Sequence, residues 1–459
     1  MATLPHAARG ANPKACPGNE AEPESAPECG SGGARLLPFR QPGRPSQRDV
    51  VIDLSRLVSR VRHPTPSGID RVEHAYARHF LSQYRTATSG AAGGGRTVRF
   101  VARFGVFGAR ELPLPAVERF LNALERGWSG ADGDSKRDWL RLIAASRRAR
   151  GGDRGSAGAI TIIPSHQNWH RQRWLEARRG AQGRLVLFLH DTIPSDYPEY
   201  ARAGGAQRHL QRLGNALAVA DGFIVNSAAT GAALLRHADH PYGGRVTVAP
   251  IGFDVPAAAA PPCAEAADAR RYDERPYFVA LGTIEPRKNH LLLLHIWRRL
   301  SELMPETSPE TAPRLVLVGR RGWENENIID LLDRSPGVRR LVTEHNALGD
   351  GELGGLIAGA RALLMPSFAE GFGMPVIEAL TLGVPVIAAD LPVYRETAGD
   401  LPRYLDPLDG TGWLAAILEY SDTNAPDRQA RIARAKGWRA PSWAGHFAQV
   451  EHLLEELDA

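Results

Sequence analysis

Short apolar runs and helical patterns of hydrophobic residues alternate along most of the chain. Residues 50–52 form an apolar run that ends at Asp53, and residues 69–84 carry hydrophobic side chains at the three- and four-residue spacing of a helix. Further apolar runs of strand length cover residues 97–103, 159–163, 185–189, 222–225 and 246–249. Because these runs are apolar on both faces, they predict a parallel sheet that helices cover on both sides.

The alternation of strands and helices starts a second time near residue 277. The predicted strands are residues 277–281, 314–318, 339–342, 362–365 and 385–388, and residues 286–303 are predicted as a helix. Because the pattern repeats, we predict an α/β fold of two Rossmann-like domains. The carboxyl ends of both parallel sheets are expected to face a central cleft.

The predicted organisation has five parts. Residues 1–48 are rich in Pro, Gly, Ala and Glu without an apolar period, which is typical of a disordered leader. Residues 49–254 form the first predicted domain and residues 272–438 the second, joined by an Ala- and Pro-rich linker at residues 255–271. Residues 439–459 contain a final helix, predicted at residues 442–457.

Composition and charge narrow the class of protein. Hydrophobic residues make up 43% and charged residues 23% of 459 positions, as in soluble globular proteins. No apolar run is long enough to span a bilayer, and an apolar secretory signal is not apparent, so we expect a cytoplasmic protein. The three cysteines, Cys16, Cys29 and Cys263, are scattered and suggest reduced thiols without a disulfide frame or zinc site.

The net charge of +5 favours phosphate-bearing ligands or an anionic membrane surface as partners. The basic residues are dispersed and form no run with interleaved aromatic residues, so we expect no nucleic-acid partner. For most of the basic residues, solvated arginine on a soluble surface is the preferred interpretation. The chain has only four lysines, at positions 14, 136, 288 and 436.

The first candidate site follows the predicted strand at residues 277–281. Its sequence is Gly282-Thr-Ile-Glu-Pro-Arg-Lys-Asn289, and the proline is expected to begin the next helix. Arg287 and Lys288 then fall in the first helical turn, where the helix N-terminus already carries partial positive charge. Two cations at that place suit a bound phosphate, although both side chains could equally extend into solvent.

The second candidate site follows the predicted strand at residues 362–365. Its loop carries Glu370, Gly371 and Gly373, and the helix that begins at Pro375 carries Glu378 in its predicted first turn. Glycines at the end of a parallel strand let backbone amides approach a ligand. The two carboxylates can accept hydrogen bonds from sugar hydroxyls. The alternatives are that Glu370 is an exposed acidic residue of the loop and that Glu378 only complements the helix dipole.

These motifs together resemble one enzyme family. Glu370 and Glu378, separated by seven residues around Gly-Phe-Gly-Met-Pro, are similar to the E-x7-E motif of retaining GT-B glycosyltransferases of family 4, the glycosyl transferases group 1. Residues 383–389, 395–399 and 282–289 also match that family in the expected order. The resemblance spans about residues 277–407 and implies a GT-B fold with the nucleotide sugar on the second domain.

The resemblance also implies roles for these residues. Arg287 and Lys288 would hold the donor diphosphate, Glu370 would contact the donor sugar, and Glu378 would bind the ribose hydroxyls. The remaining implied donor-binding residues are Gly282, Thr283, Gly371, Phe372 and Gly373. The family is generally metal-independent, so no metal and no other cofactor are expected. By the same resemblance, the C-terminal helix is expected to cross back to the first domain.

The first domain resembles the family less closely. Gly68, in Ser67-Gly-Ile-Asp-Arg-Val-Glu73, is similar to the acceptor-side glycine loop, where the backbone would approach the donor phosphate; an ordinary turn is the alternative. The pair His190-Asp191 resembles one found in mannosyltransferase-like members, and would bind the transferring sugar or the acceptor hydroxyl. A structural histidine beside a helix-capping aspartate is the alternative reading.

The sequence therefore predicts a retaining glycosyltransferase, with mannose from GDP-mannose as the first choice of donor. UDP- and dTDP-linked sugars remain alternatives. The expected acceptor is a glycan or a lipid-linked glycan in polysaccharide biosynthesis, with peripheral contact at the inner membrane as a further hypothesis. Other enzymes on this fold, namely an epimerase or a phosphorylase, and a non-catalytic protein that binds nucleotide sugars are the rival readings. Residues 166–174 add two histidines and two tryptophans that could form an acceptor platform or pack in the core.

Overall fold

Two sheets of parallel strands, each followed by helices, form the framework of the protein. The computed structural model describes residues 47–61, 63, 66–88, 96–104, 108–128, 135–148, 157–253, 275–304, 312–346 and 348–459. The predicted linker, the three cysteines and almost all of the predicted leader lie outside the described residues. We call residues 47–253 the N-lobe and residues 275–442 the C-lobe.

The N-lobe sheet has the strand order β3-β2-β1-β4-β5-β6-β7. Its strands are β1 (Val50–Asp53), β2 (Val98–Arg103), β3 (Ala109–Leu112), β4 (Ile160–Ile163), β5 (Arg184–Leu189), β6 (Gly222–Val225) and β7 (Arg245–Val248). All neighbours pair in parallel except β2 and β3, which are antiparallel. The antiparallel edge strand was not predicted, because Ala109–Leu112 is short, polar and only half-buried.

Helices cover this sheet on both faces. They are α1 (Ser55–Ser59), α2 (Gly68–Thr88), α3 (Leu114–Trp128), α4 (Ser135–Arg148), α5 (Gln172–Arg179), α6 (Ile193–Asp196), α7 (Gly205–Val219) and α8 (Ala228–Arg236). The central strands β1, β4 and β6 are buried along their whole length. This burial on both faces explains why their sequences read as continuous apolar runs.

The C-lobe sheet has the strand order β10-β9-β8-β11-β12-β13, and all its pairs are parallel. Its strands are β8 (Tyr277–Leu281), β9 (Arg314–Val318), β10 (Val342–His345), β11 (Leu363–Met365), β12 (Val386–Ala389) and β13 (Arg403–Leu405). The prediction of a strand at residues 339–342 is wrong, because Pro336 opens a helix at residues 336–341 and the strand begins only at Val342. The short strand β13 was not predicted.

The helices of the C-lobe alternate with these strands. They are α9 (His290–Leu303), α10 (Glu326–Arg334), α11 (Pro336–Leu341), α12 (Asp350–Ala358), α13 (Met374–Thr381), α14 (Pro392–Ala398), α15 (Gly410–Ser421) and α16 (Pro426–Ala435). Most of these helices pack on the sheet and contribute side chains to the two apolar clusters, one on each face of the sheet. Asp409 precedes α15 and caps it, because its carboxylate accepts a hydrogen bond from the amide of Gly412 at 2.8 Å.

The final helix, α17 (Trp443–Asp458), packs on the N-lobe. The His446 imidazole lies 2.9 Å from the Tyr76 hydroxyl, and the Phe447 ring stacks on that of His79 at 3.7 Å. At the far end, the Asp458 carboxylate accepts a hydrogen bond from the amide of Arg48. The chain therefore passes from the N-lobe to the C-lobe and back, and α17 completes the hydrophobic core of the N-lobe.

Candidate active site at the interface of the two lobes

The loop after β8 brings two cations to the carboxyl edge of the C-lobe sheet. Pro286–Lys288 form a single 3-10 turn, and Asn289 then adopts left-handed backbone angles before α9 begins at His290. The prediction that Arg287 and Lys288 occupy the first turn of an α-helix is therefore wrong. The side-chain amide of Asn289 donates to the carbonyls of Pro366 and Pro407, which fixes the turn against two neighbouring loops.

Glu370 lies between these cations. Its carboxylate contacts the Lys288 Nζ at 2.6 Å and the Arg287 Nη1 at 2.9 Å. The hydroxyl of Ser367 donates to the same carboxylate at 2.8 Å. Three residues predicted from two separate motifs, 82 and 83 positions apart, thus form one cluster of opposite charges.

The cations control the ionisation of Glu370. Burial by itself would raise the pKa of this carboxyl, but Arg287 and Lys288 outweigh burial and bring the pKa to about 2. Burial lowers the pKa of Arg287, yet the carboxylates of Glu370 and Glu285 raise it above its ordinary value. Glu370 and Arg287 are therefore both ionised at neutral pH, and their charges are held away from bulk water.

Sequence reasoning missed two side chains of this cluster. Glu285 is 3% exposed, and its carboxylate contacts the Arg287 Nη2 at 2.6 Å. Tyr394 is fully buried, and its ring fills the space beside Gly373, where a Cβ would lie 2.5 Å from the ring. Glu285 lay inside the motif at residues 282–289, so its charge beside Arg287 was an available signal. Tyr394 gave no signal, because only the fold brings it to the loop.

The predicted glycines permit close contacts of the backbone. Gly282 has φ +129°, and a Cβ there would lie 2.9 Å from the Lys288 Cε. Gly373 has φ +84° and precedes α13 as its N-cap residue. Thr283 is half-buried, and its methyl group would be 2.6 Å from a Cβ on Gly322. These residues allow the two loops to pack closely at the edge of the sheet.

Gly371 and Phe372 connect the Glu370 loop to the N-lobe. A Cβ on Gly371 would lie 2.6 Å from the carbonyl oxygen of His190, so only glycine fits there without displacement. The Gly371 carbonyl accepts a hydrogen bond from the Thr230 hydroxyl at 3.3 Å. The Phe372 side chain is buried in the core cluster of the N-lobe. The loop that carries Glu370 is therefore held by both lobes.

The pair His190-Asp191 faces this loop from the end of β5. The Nε2 of His190 donates to the Pro164 carbonyl at 2.9 Å, and the ring stacks on Phe188. Burial lowers the pKa of His190 to about 4, so the imidazole is neutral at pH 7 with an unprotonated Nδ1. Burial raises the pKa of Asp191, while the nearby Arg287 opposes that rise.

Glu378 lies in a separate part of the interface. The helix α13 begins at Met374, one residue before the predicted start, so Glu378 is its fifth residue and the prediction that Glu378 lies in the first turn is wrong by one residue. Glu378 lines an interlobe cleft of about 910 Å³ together with Gly68 at the start of α2. Arg71 and Asp350 form a 2.7 Å ion pair across this cleft, and burial raises the pKa of Glu378 despite the nearby Arg71. Arg287, Lys288 and Glu370 do not line the cleft.

The described residues contain no group of three or more His, Cys, Asp or Glu side chains placed to share a metal ion. Metal independence stays a prediction. Nor does any helix in the described part of the chain have the length and apolarity needed to cross a membrane.

Two sheets of this topology that meet at their carboxyl edges define a GT-B protein, and solved structures show the same fold. A UDP-forming α,α-trehalose-phosphate synthase from Burkholderia xenovorans aligns with TM-score 0.57 at 12% identity, over 90% of this chain and all of that one. Anabaena Alr3699/HepE, solved in complex with UDP-glucose, aligns with TM-score 0.55 at 16% identity, over 89% of this chain and all of that one. The predicted fold class is confirmed.

Residues 264–417 match the family model of the glycosyl transferases group 1. The O-antigen chain mannosyltransferase B of Escherichia coli is 36% identical over 162 residues, which are 35% of this chain and 40% of that protein. The serotype-specific mannosyltransferase WbdA of Escherichia coli is 30% identical over 302 residues, 62% of this chain and 34% of that protein. The resemblance is confirmed: the chain has the GT-B fold, residues 264–417 match the glycosyl transferases group 1, and the chain is similar to mannosyltransferases over less than half of their length.

Proposed function

We propose that the protein is a retaining hexosyltransferase that moves mannose from GDP-mannose to a glycan or lipid-linked glycan acceptor in polysaccharide biosynthesis. One observation carries the proposal: Glu370, Arg287 and Lys288 form a buried charged cluster that faces Asp191 across the interface. The similarity to an O-antigen chain mannosyltransferase and to a serotype-specific mannosyltransferase supports mannose as the sugar. A UDP-sugar is the second candidate donor, because a neighbour in fold was solved with UDP-glucose.

In this proposal the donor lies along the C-lobe edge. Arg287 and Lys288 hold its diphosphate and neutralise the charge that develops on the leaving nucleotide, without a metal ion. The diphosphate shares these cations with Glu370, which contacts the donor sugar. Glu378 accepts hydrogen bonds from the ribose hydroxyls.

The acceptor approaches from the N-lobe, where Asp191 or the neutral His190 contacts its hydroxyl group. The acceptor oxygen attacks the anomeric carbon from the face that the nucleotide leaves, and the departing diphosphate takes the proton of that oxygen. The bond to the acceptor forms as the bond to the diphosphate breaks, so the anomeric configuration is retained. Contacts between the lobes exclude water during transfer.

The donor assignment is tested by thermal unfolding with GDP, UDP, dTDP and ADP and their common sugar conjugates. A ligand that binds only the folded protein stabilises it by about 3 kcal/mol at one hundred times its Kd. We expect GDP and GDP-mannose to raise the Tm of the wild type. We expect the shift to be lost in Glu378→Ala and kept in Glu302→Ala, a control at an exposed carboxylate on α9.

The outcome separates the alternatives. A shift by UDP compounds alone would move the assignment to the second donor, and no shift by any nucleotide would contradict the glycosyltransferase proposal. Turnover is then followed by NMR of the product, where an anomeric configuration opposite to that of the donor would exclude retention. Activity that vanishes with EDTA and returns with a divalent ion would contradict metal independence.

A further inference from the structure

Three buried hydrogen-bond donors without acceptors lie near the carboxyl end of β4 in the N-lobe. The Nδ2 of Asn168, the Nε1 of Trp169 and the Nε of Arg212 are buried and have no hydrogen-bond partner among the described residues. Asn168 is 8% exposed and Trp169 is 1% exposed. Buried donors are normally paired, so three such groups in one region require an explanation.

Two histidine rings connect these donors. The ring of His166 lies 4.8 Å from that of Trp169 and 5.7 Å from that of His209. Arg212 follows His209 by one helical turn on α7 and acts electrostatically on both histidines. We call these five residues, His166, Asn168, Trp169, His209 and Arg212, the donor cluster.

Arg212 supplies the charge of the donor cluster. Burial lowers the pKa of His209 to about 4, and burial followed by neighbouring charges holds the pKa of His166 well below its usual value, so both rings are neutral at pH 7. Arg212 has no ion pair within the ranges that the structure describes. The nearby carboxylate of Asp196 contacts His237 at 2.7 Å and Arg236 at 3.5 Å.

The backbone at the donor cluster is held in an unusual conformation. Asn168 has φ 67°, in the left-handed region that residues other than glycine rarely adopt. The turn is closed by the amide of Arg171, which donates to the Asn168 carbonyl at 3.0 Å. Backbone of this kind persists where the surrounding structure enforces it, and it is frequent at ligand sites.

The donor cluster adjoins the proposed acceptor side of the active site. The amide of His190 donates to the Nε2 of His166 at 2.9 Å. The next residue, Asp191, packs against Gly371 of the Glu370 loop. A group bound at the donor cluster would therefore lie on the N-lobe side of the reacting atoms, where the acceptor enters.

We propose that the donor cluster binds an anionic group of the acceptor, either a phosphate or a sugar carboxylate. Such a group accepts hydrogen bonds and donates none when ionised, which matches the amide, indole and guanidinium donors. Its charge neutralises Arg212. This inference rests on the proposed function, because it assigns the anion to the sugar acceptor.

The binding test uses the full chain and ligand-observed NMR titrations. Mannose 6-phosphate and methyl α-glucuronide are compared with neutral mannose and methyl α-glucoside, and inorganic phosphate is titrated as the anion alone. We expect at least one anionic sugar to bind about tenfold more tightly than its neutral counterpart, as for a hydrogen bond to a charged group. A preference for the phosphate or for the carboxylate identifies the source of the anion.

Substitutions on α7 and at Asn168 distinguish direct contact with the anion from a general effect of positive charge. Arg212→Gln should abolish the preference for the anionic sugar, and Asn168→Gly, which keeps the left-handed backbone, should weaken it. Arg208→Gln removes an equal charge one turn earlier, at an exposed position, and should keep the preference. If Arg212→Gln does not fold, Arg212→Lys retains the charge without the planar fork and should still weaken binding.

Equal affinity for charged and neutral sugars, or an equal loss in Arg208→Gln and Arg212→Gln, would overturn the assignment. Binding of inorganic phosphate without any gain for the anionic sugars would also overturn it. The nucleotide screen is independent of these titrations. A protein that binds nucleotide sugars but shows no preference for anions contradicts this inference alone, and one that binds anionic sugars but no nucleotide contradicts the proposed function.

Discussion

At the scale of single residues, the ionisation of a buried side chain at the lobe interface depends on charged residues that are distant in sequence. Glu370 is ionised because Arg287 and Lys288 outweigh the effect of its burial. A buried carboxyl group without a counter-charge would be protonated, or its carboxylate would be hydrated. The sequence motifs predicted the residue types, while the contacts at 2.6 and 2.9 Å depend on how two loops of the C-lobe pack.

Glu370→Gln tests this balance. The variant keeps the shape of the side chain but leaves Lys288 buried without a counter-ion, so we expect a loss of about 3 kcal/mol in the free energy of unfolding at pH 7. In the folded protein the pKa of Glu370 is lowered from 4.5 to about 2. The stabilisation by its carboxylate is therefore complete at pH values above the pKa of the unfolded chain, and it is lost as pH falls towards 2. The difference between variant and wild type should therefore shrink between pH 5 and pH 3.

Urea unfolding at several pH values measures this effect. Glu302→Gln removes a carboxylate that is half exposed and paired with Arg299, and should change stability by less than about 1 kcal/mol. A pH-independent loss in Glu370→Gln would indicate a packing defect and contradict the electrostatic account.

At the scale of elements, the loop between β8 and α9 shows how the chain positions a site. The sequence predicted one continuous helix from Pro286, whereas the structure has a 3-10 turn, a left-handed Asn289 and then the helix. Apolar periodicity identifies the helix but does not fix its first residue. The carbonyls that bind the Asn289 side chain come from residues 366 and 407, which are distant in sequence.

Two substitutions of Asn289 separate its backbone from its side chain. Asn289→Gly keeps the left-handed conformation and loses only the two side-chain hydrogen bonds, so we expect a moderate loss of stability. Asn289→Ala loses the same bonds and adds the cost of a left-handed alanine, about 1–2 kcal/mol. Denaturant unfolding of both variants measures the difference, and equal stabilities would contradict the role of the left-handed turn.

For the whole molecule, a contact between α14 of the C-lobe and α8 of the N-lobe joins the two lobes. The Glu396 carboxylate on α14 accepts hydrogen bonds from the amides of Ala228 and Ala229 at 2.6 and 3.2 Å, which are the first amides of α8 in the N-lobe. The residue before α8, Ser227, caps the same helix. A carboxylate at a helix N-terminus is stabilised by the helix dipole, so this contact favours the closed arrangement of the lobes.

Glu396→Ala should shift the protein towards open lobes. We expect a larger radius of gyration in solution scattering and a weaker affinity for the nucleotide, while the free energy of unfolding changes by about 1 kcal/mol or less. Asp400→Asn lies just beyond the same helix and alters only an exposed pair with Arg395, so it serves as the control. An unchanged radius of gyration and unchanged affinity in Glu396→Ala would exclude this contact as a determinant of closure.

The sequence by itself determined the two series of strands and helices, because strands buried on both faces must be apolar runs. It also determined the chemical types at the site, since Glu370, Arg287, Lys288 and Glu378 stand in motifs of fixed spacing. The tertiary structure decided which of these residues meet: Glu370 lies with the cations, and Glu378 lines a different part of the interface. It also placed Tyr394, Glu396 and Arg212, whose positions depend on packing between segments distant in sequence, which local periodicity and motif spacing do not encode.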